Sequence, residues 1–309
     1  MKALRIHGYG DAGSALFEDV PIPEPGLDEL LIRVGAASVN PLDLKLIGGL
    51  RREVFPLSFP YTPGTDFMGT VERAGPLAVR WRAGDTVIAR AAPTRGGAFA
   101  EYAVVPALNV AAAPKTLAPA HSAGLPTAAG TAWQALIEVA HLKAGQTLLV
   151  HAGAGGVGAF AIQIGKIAGA RVVATASGDG LALARAFGAD EVVDYRSADF
   201  TARPRDVDLV LDTIGGDTQT RSFGVLKPGG LLVSIVNPPD PAQAEAHGVK
   251  AVRLGHETLG ARLELIAGAC DDGRLRVPVD RSFPFADAAA ALARSASGRA
   301  RGKIVLEIA

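Results

Sequence analysis

The sequence predicts an α/β protein that joins a β domain to a doubly wound parallel-sheet domain. In the first third of the chain, short apolar runs are bounded by Gly and Pro, which is typical of a compact, partly antiparallel β domain. Beyond about residue 121, apolar strands alternate with segments of helical periodicity, which predicts a parallel sheet covered by helices. The length of 309 residues suits two domains.

The predicted strands of the β domain are short apolar segments separated by Pro-rich turns. They comprise residues 30–34, 69–73, 85–89 and 99–106. Two more β-like segments, 275–279 and 303–308, lie near the carboxyl end and indicate that the chain returns to this domain. We therefore predict a split domain of residues 1–121 and 257–309, with the parallel-sheet domain inserted as residues 122–256.

The inserted domain is predicted to contain five buried strands connected by helices. The strands are 147–151, 171–175, 191–195, 207–212 and 231–236. Apolar residues at helical spacing between 157 and 167 predict a helix after the first strand, and 181–187 predicts a helix closed by Gly188.

Charge and composition argue against two classes of partner. The 31 basic and 31 acidic residues balance, and no reader motif is present, so we expect no nucleic acid. The apolar stretch 148–176 is interrupted by polar residues, so we expect no membrane span. The single cysteine, Cys270, can form no intrachain disulfide, and we therefore expect a cytoplasmic protein in which Cys270 is a core residue.

The segment Gly153-Ala-Gly155-Gly156-Val157-Gly158 fits the pattern G-x-G-x-x-G. It follows an apolar strand and opens an amphipathic helix, the context in which the pattern indicates a dinucleotide-binding loop. The first Gly allows the tight turn, the second lets the backbone approach a pyrophosphate, and the third lets the helix pack on the strand. The start of the helix then offers free N–H groups to the phosphates. A glycine-rich turn of another α/β fold is the alternative.

The end of the second strand bears on the choice between NADPH and NADH. An NAD site usually places Asp or Glu there to bind the ribose hydroxyls, but the positions directly after 171–175 are small and uncharged. This favours NADPH, with NADH possible, and the predicted partners of a 2′-phosphate are Ser177, Tyr195 and Arg196. Asp179 could reach the ribose, but it is better placed as a cap for the next helix. Arg196 could equally be a solvated surface charge.

Several segments together resemble the medium-chain dehydrogenase/reductase superfamily, in its zinc-independent, zeta-crystallin-like quinone oxidoreductase branch. The likeness covers nearly the whole chain, and its order and spacing are specific. The segments are ASVNPLD (37–43), PYTPGTDFMGTVE (60–72), GDTV (84–87), GAFAEY (97–102), AGTAWQAL (129–136), the glycine loop and GKIVL (302–306). The resemblance implies a GroES-like substrate and catalytic domain beside a Rossmann domain, and a homodimer joined through an edge strand, here 231–236.

The resemblance also raises the question of zinc. The superfamily's alcohol dehydrogenases hold a catalytic zinc with two Cys and one His, and often a structural zinc with four Cys. One cysteine can supply neither site, and none of the six His forms a ligand-spaced pair. Asn40, Thr65 and Thr127 stand where the catalytic ligands align, so we expect no metal.

Without a Lewis acid, hydride transfer needs a substrate that is already electrophilic, such as a quinone or an α,β-unsaturated carbonyl. The sequence therefore predicts a zinc-independent, NADPH-dependent oxidoreductase acting on one of these substrates. The alternatives are an enoyl-thioester reductase of the same superfamily and a protein that binds NADPH without turnover.

The resemblance implies Asn40, Tyr61 and Asp43 as catalytic residues. Asn40 would donate to the nicotinamide or to the substrate oxygen; the alternative is a turn residue before Pro41. Tyr61 would donate a proton or stack on a planar substrate; the alternative is a packed loop aromatic. Asp43 is predicted to anchor the Asn40 loop rather than to perform acid–base chemistry.

Further cofactor contacts are predicted around the nicotinamide. Thr127 and Thr131 would face it, although either could instead cap a helix. Ile214 and Gly215 follow a later strand, and strand carboxyl ends face the cofactor in such sheets. His151, beside the glycine loop, is predicted to be structural. The Pro- and Ala-rich segment 237–249 is predicted to be a mobile wall of the substrate cleft.

Overall fold

The computed structural model, which describes residues 1–308, divides the chain into two units. The first unit comprises Met1–Thr127 and the chain from Thr258 onward, and the second comprises Ala128–Glu257. The first change of unit therefore falls six residues later than the sequence-based boundary at 121/122. Thr127 explains the shift, because its backbone N–H and its hydroxyl both donate to the Asp66 carboxylate and tie this segment to the first unit.

The structure has fifteen strands within residues 1–308, and those of the second unit are mostly separated by helices. In chain order they are β1 (Lys2–Arg5), β2 (Leu16–Asp19), β3 (Glu29–Val39), β4 (Asp66–Ala74), β5 (Thr86–Arg90), β6 (Tyr102–Pro106), β7 (Val110–Ala112), β8 (Thr147–Val150), β9 (Arg171–Ala176), β10 (Glu191–Asp194), β11 (Val207–Asp212), β12 (Leu226–Ser234), β13 (Lys250–Arg253), β14 (Val279–Pro284) and β15 (Lys303–Glu307).

The α-helices are short, and within residues 1–308 none is both long and apolar enough to cross a bilayer. They are α1 (Pro41–Ile47), α2 (Pro119–Ala123), α3 (Pro126–Trp133), α4 (Gly156–Ile167), α5 (Gly180–Ala186), α6 (Gly216–Ser222), α7 (Pro241–Ala246), α8 (Gly260–Asp271) and α9 (Ala288–Ala296). Residues Gln134–Val139 continue α3 as a π-helix.

β3 is the central strand of the first unit and pairs antiparallel with three others. β4 lies along one side, while β6 and β15 share the other side, opposite residues 29–33 and 36–39. The sheet order is β14-β15-β3-β4-β5-β7, and β14 runs parallel to β15. Fully buried aromatic rings such as Phe67 and Phe99 fill the core against β3.

Most predicted strands of this unit are present, but one is shorter than expected. The segments 30–34, 69–73 and 85–89 lie within β3, β4 or β5 in all but one position. The predicted strand 99–106 begins only at Tyr102. Phe99 instead packs against Gly64, where any Cβ would lie 2.4 Å from the aromatic ring. Its apolar character serves core packing rather than sheet pairing.

The prediction of a strand at 275–279 is wrong, because β14 begins only at Val279. Leu275 and Val277 are buried, so their apolar character reflects the packing of an irregular segment. The other carboxyl-terminal segment, 303–308, contains β15, which pairs with β3 as the return to the first unit requires.

The second unit contains a six-stranded sheet in which all strands are parallel, in the order β10-β9-β8-β11-β12-β13. Counted along this unit, the order is 3-2-1-4-5-6, that of a doubly wound dinucleotide-binding fold. The predicted α/β fold class is therefore confirmed. Leu149, Val173 and Val210 are fully buried, as the near-continuous apolar runs of a two-sided parallel sheet require.

A sixth strand of this sheet, β13, was not predicted, because it is short, largely exposed and flanked by Lys250 and Arg253. Since β13 pairs with β12, the prediction that 231–236 forms a sheet edge is wrong, and β12 lies in the interior. The segment 237–249 contains α7, whose N-cap Asp240 accepts a hydrogen bond from the Ala242 N–H. Its role as a mobile wall stays a prediction.

His151 follows β8 and is fully enclosed by the second unit. Its Nε2 lies 2.8 Å from Ser222 Oγ and its Nδ1 3.2 Å from Thr175 Oγ1. Ser222 Oγ donates to the Thr218 carbonyl, so it accepts from Nε2–H and leaves Nδ1 as the acceptor. Burial lowers the pKa of His151 to about 4, although attraction to Asp212 opposes this. His151 is therefore a neutral link between β8, β9 and α6.

We expect His151 to make the second unit less stable as the pH falls from about 6.5 to about 4. In this window the unfolded chain binds a proton that the buried imidazole does not, so the free energy of unfolding falls, by up to about 3 kcal/mol at about 1.4 kcal/mol per pH unit. Trp81→Phe leaves Trp133 as the only tryptophan, and its fluorescence during urea unfolding reports on the second unit. In the same background, His151→Gln should show a shallower pH dependence; equal slopes would contradict the assignment.

Candidate functional site

The glycine loop joins the end of β8 to the start of α4, as the pattern predicts. A Cβ on Gly158 would lie 2.2 Å from the Ala152 carbonyl oxygen, and one on Gly153 would lie 2.8 Å from Ala174 Cβ. Gly155 differs, because a Cβ there would meet only Ala152 within 4 Å. Packing therefore requires glycine at positions 153 and 158. At Gly155, the absence of a side chain lets a pyrophosphate approach the backbone of the loop.

The first turn of α4 supplies the donors for such an anion. Gly155 is the N-cap with extended backbone (φ −78°, ψ 173°), and Gly156, Val157 and Gly158 open the helix. N–H groups of a first turn have no intrahelical partner and carry the positive end of the helix dipole. The loop residues therefore fit the pyrophosphate of a dinucleotide.

Two of the three residues predicted to hold a 2′-phosphate are in contact at the end of β9. Ser177 Oγ donates to the Tyr195 hydroxyl at 2.8 Å, and the Tyr195 ring is 55% exposed. Arg196 follows directly and is exposed. Asp179 lies at the N-cap position of α5, but its side chain makes no capping hydrogen bond, so the predicted cap interaction is wrong. Its backbone is already helical there, whereas a capping residue normally has an extended backbone.

Ile214 and Gly215 form a turn at the carboxyl end of β11 that Asp212 holds in place. The Asp212 carboxylate is fully buried and accepts the N–H groups of Ile214 at 3.0 Å and Gly215 at 2.8 Å. Gly215 has φ 78°, which a residue with a side chain rarely adopts. Asp212 was not predicted to be a site residue, although a single carboxylate at the end of an apolar strand was an available signal.

Thr131 lies inside α3 rather than at a helix cap, and its hydroxyl meets an imidazole that the sequence analysis missed. Thr131 Oγ1 is 3.1 Å from His256 Nδ1. Gln134 holds the segment around this histidine, since its amide donates to the Gly255 carbonyl at 3.3 Å and accepts the Glu257 N–H at 3.1 Å. No sequence pattern marks His256, because it follows the unpredicted strand β13.

A network of buried charges surrounds Asn40 in the first unit. Asp43 Oδ2 accepts the Asn40 N–H at 2.7 Å, which anchors the turn that begins α1. Lys303 Nζ, at the start of β15, donates to Asn40 Oδ1 at 2.5 Å and lies 3.9 Å from Asp66 Oδ2. Because an ammonium only donates, Asn40 must turn Oδ1 toward Lys303. Its Nδ2 is then left buried without a hydrogen-bond partner among residues 1–308.

The second cation of this network is Arg90, at the end of β5. Its Nε donates to Thr127 Oγ1 at 2.8 Å and its Nη1 to Thr258 Oγ1 at 3.0 Å, and its Nε lies 3.9 Å from Asp66. Thr127 therefore takes part in this network, whereas neither cation was predicted to be a site residue. The available signal was a charged residue at a terminus of an apolar strand, since Arg90 is the last residue of β5 and Lys303 the first of β15.

Burial dominates the titration of this network. It raises the pKa of Asp43 to about 7, although the Asn40 N–H opposes the shift. Burial lowers the pKa of Lys303 and of Arg90, while attraction to Asp66 and Asp43 opposes this. Two carboxyl groups and two cations thus compensate one another where isolated charges would be costly.

The structure shows Tyr61 as a packed aromatic residue, which was the alternative to a catalytic role. It is 3% exposed, and its hydroxyl donates to the Pro93 carbonyl at 2.7 Å. Burial raises the pKa of its hydroxyl, with the Asp43 charge adding to the shift. Because the proton is already donated to backbone, this geometry does not support Tyr61 as a catalytic proton donor.

The residues aligned with zinc ligands do not fit a zinc ion. Asn40 and Thr127 are bonded to the cations Lys303 and Arg90, and fully buried Thr65 offers only a hydroxyl. Cys270 lies in α8, where burial raises the pKa of its thiol to about 12. Among residues 1–308, no three His, Cys, Asp or Glu side chains are grouped to hold a metal.

Comparisons with known proteins agree with this arrangement. The alcohol dehydrogenase GroES-like domain family matches residues 26–115, and the zinc-binding dehydrogenase family matches residues 187–306. The chain is 32% identical over 325 residues to the chloroplastic quinone-oxidoreductase homolog of Spinacia oleracea, covering 99% of this chain and 98% of that protein.

Two solved structures superpose over the whole chain. The quinone oxidoreductase of Coxiella burnetii has a TM-score of 0.92 at 31% identity, covering 100% of this chain and 99% of that one. A mycobacterial protein solved in complex with NADPH has a TM-score of 0.90 at 31% identity, covering 100% of both chains. The fold and glycine loop define an oxidoreductase of the medium-chain dehydrogenase/reductase type. Within that superfamily, the chain belongs to the zeta-crystallin-like quinone oxidoreductase branch.

Gly158→Ala should raise the dissociation constant for NADPH at least about tenfold, because the added methyl group displaces the Ala152 carbonyl and with it the loop. Titration of NADPH fluorescence measures this. Gly224→Ala is the matched control, since a Cβ there meets no heavy atom within 4 Å. Equal affinity of the two variants, with native circular dichroism, would contradict the assigned loop.

Proposed function

We propose that the protein is an NADPH-dependent oxidoreductase that reduces a quinone or an α,β-unsaturated carbonyl without zinc. The observation that carries this proposal is the glycine cradle between β8 and α4, which fits a dinucleotide pyrophosphate. The names of the similar spinach and Coxiella proteins support a quinone as the electron acceptor.

NADPH is favoured over NADH by the edge of the sheet next to the glycine loop. No carboxylate ends β9, and Ser177, Tyr195 and Arg196 offer two hydroxyl groups and a cation to a 2′-phosphate. The similar mycobacterial protein was solved with NADPH. When bound, the nicotinamide supplies the hydride.

The chain's own contribution to the reaction is a hydrogen-bond donor for the oxygen that gains charge. A quinone or enone becomes an oxyanion when it accepts a hydride, and preorganised donors stabilise that charge. Asn40 Nδ2 is buried and uncommitted, and Lys303 fixes its orientation. A conjugated substrate needs no further Lewis acid, which is consistent with hydroxyl and amide groups in place of zinc ligands.

We also propose that the enzyme works in the cytoplasm as a homodimer. Because β13 rather than β12 ends the sheet, we expect the contact along β13, whose outer side pairs with no strand among residues 1–308. Light scattering of the purified protein tests the dimer, and cell fractionation tests the location.

The proposal is tested by following oxidation of NADPH, and separately NADH, with a naphthoquinone, an alkyl enone, an enoyl-CoA and an aldehyde, with and without a chelator. Chelator-insensitive turnover of the quinone or enone with NADPH supports the proposal. Preference for the enoyl-CoA indicates the thioester reductase, and binding without turnover indicates a binding protein. Chelator-sensitive turnover of the aldehyde would overturn the zinc-free mechanism.

Arg196→Ala should weaken NADPH binding about tenfold while leaving NADH unchanged, since one charge-assisted hydrogen bond contributes about 1.5 kcal/mol or more. Fluorescence titration with both nucleotides measures the difference. Arg185→Ala removes another exposed arginine, on α5, and should change neither affinity. An equal loss for NADPH and NADH in Arg196→Ala would place Arg196 against a part that both nucleotides share, and no loss for either would assign it to the solvated surface; both outcomes would contradict a contact with the 2′-phosphate.

Asn40→Asp should lower kcat about 100-fold or more, because it keeps an oxygen facing Lys303 but replaces the Nδ2 donor by an acceptor. The dissociation constant for NADPH should stay the same. Ser38→Ala is the control, since it removes another buried, unpartnered polar atom from β3. Unchanged kcat in Asn40→Asp would remove Asn40 from the catalytic groups.

A further inference from the structure

We propose that His256 and Thr131 form the proton-delivery pair of this enzyme, which supplies the proton that accompanies the hydride. This inference rests on the proposed function and deepens it, because every reduction of a quinone or enone requires a proton as well as a hydride. Neither the fold nor the motifs identify a proton donor, and Tyr61 is committed to a backbone carbonyl.

The strand order places His256 on the nicotinamide half of the second unit. In a 3-2-1-4-5-6 sheet, the dinucleotide lies across the carboxyl ends of the strands. The glycine loop after β8 and the end of β9 take the pyrophosphate and the adenosine ribose. The nicotinamide is left for the half built from β11, β12 and β13. His256 lies three residues beyond the end of β13, at that carboxyl edge.

Gln134 clamps the backbone on both sides of His256. Its side-chain amide donates to the carbonyl of Gly255 and accepts the N–H of Glu257, and Gln134 itself is 7% exposed. Such a two-sided clamp gives the segment 255–257 one orientation. Gln134 is also the first residue of the π-helix, and π-helical turns frequently mark functional sites.

α3 is shaped to receive the imidazole. A Cβ on Gly130 would lie 2.9 Å from His256 Cε1, so the ring can lie against α3 only where no side chain intervenes. The next residue, Thr131, then places its hydroxyl 3.1 Å from His256 Nδ1. Thr131 is 4% exposed, whereas His256 is half-buried. The pair thus connects the buried Thr131 hydroxyl to the His256 imidazole, which solvent can reach.

This geometry allows a balanced step. With NADPH bound, the substrate would receive a hydride with its two electrons, and its oxygen would become an oxyanion. Thr131 Oγ would give its proton to that oxygen and take the Nδ1 proton of His256 in its imidazolium form. His256 would then be a neutral imidazole, and solvent would supply the next proton. The products are the enol or hydroquinone and NADP⁺, with one proton consumed from water.

The test compares His256→Gln and Thr131→Val with wild-type enzyme, using NADPH with the quinone or enone that the wild type turns over best. Each variant should lose about 100-fold or more in kcat. The double variant should lose no more than either single one, because both act in one relay. Added imidazole should restore activity to His256→Ala, which leaves the space of the ring empty.

Two readouts do not depend on turnover. NADPH affinity from fluorescence should be unchanged in His256→Gln. In the proton NMR spectrum, NADP⁺ should shift the His256 Cε1–H resonance and leave that of His247, an exposed residue at the end of α7, in place. His247→Gln is the activity control. Wild-type kcat in His256→Gln or Thr131→Val, or no shift of the His256 resonance, would overturn the proton relay alone. Absence of any wild-type turnover would instead overturn the proposed function and the relay with it.

Discussion

The carboxylate of Asp66 is the interaction on which the first unit depends. Placed at the start of β4, it accepts two hydrogen bonds from Thr127 at the start of α3 and lies beside Arg90 of β5 and Lys303 of β15. Four elements distant in sequence thus meet at one buried charge. Breaking a buried ion pair by removing one partner costs about 3–5 kcal/mol, since an uncompensated charge remains. The network therefore specifies which strands and helices come together.

The same network also orients the Asn40 side chain. Lys303 compensates the charge of buried carboxylates, and it also fixes the orientation of the Asn40 amide. Because Lys303 Nζ donates to Asn40 Oδ1, the Nδ2 donor is the amide atom left for another partner. Two of the positions aligned with zinc ligands, Asn40 and Thr127, are hydrogen-bonded to the buried cations Lys303 and Arg90. In the second unit, Asp212 and Gln134 have a comparable role, since each uses a buried polar group to hold a loop at the carboxyl edge of the sheet.

The features that could be predicted from the sequence are those with a local signal in neighbouring residues. The loop from Gly153 to Gly158 was recognisable because its spacing meets a backbone requirement that only glycine satisfies. The strands from β8 to β12 were recognisable as apolar runs between helical segments or turns. β13 was not, because a polar edge strand lacks that signature. The pairing of Lys303 with Asn40 was equally hidden, since it joins residues 263 positions apart and depends on burial that no local pattern reveals.

The division of the first unit between both ends of the chain has a consequence for biosynthesis. The second unit is continuous and can complete its sheet as soon as residues up to 257 have left the ribosome. β3, by contrast, waits for β15, which follows the second unit in the chain. Until then one side of β3 is open at residues 36–39, and the Asn40 amide lacks its lysine. The growing chain therefore passes through a stage in which the second unit can be complete while the first is not, and in which the unpaired strand needs protection from aggregation.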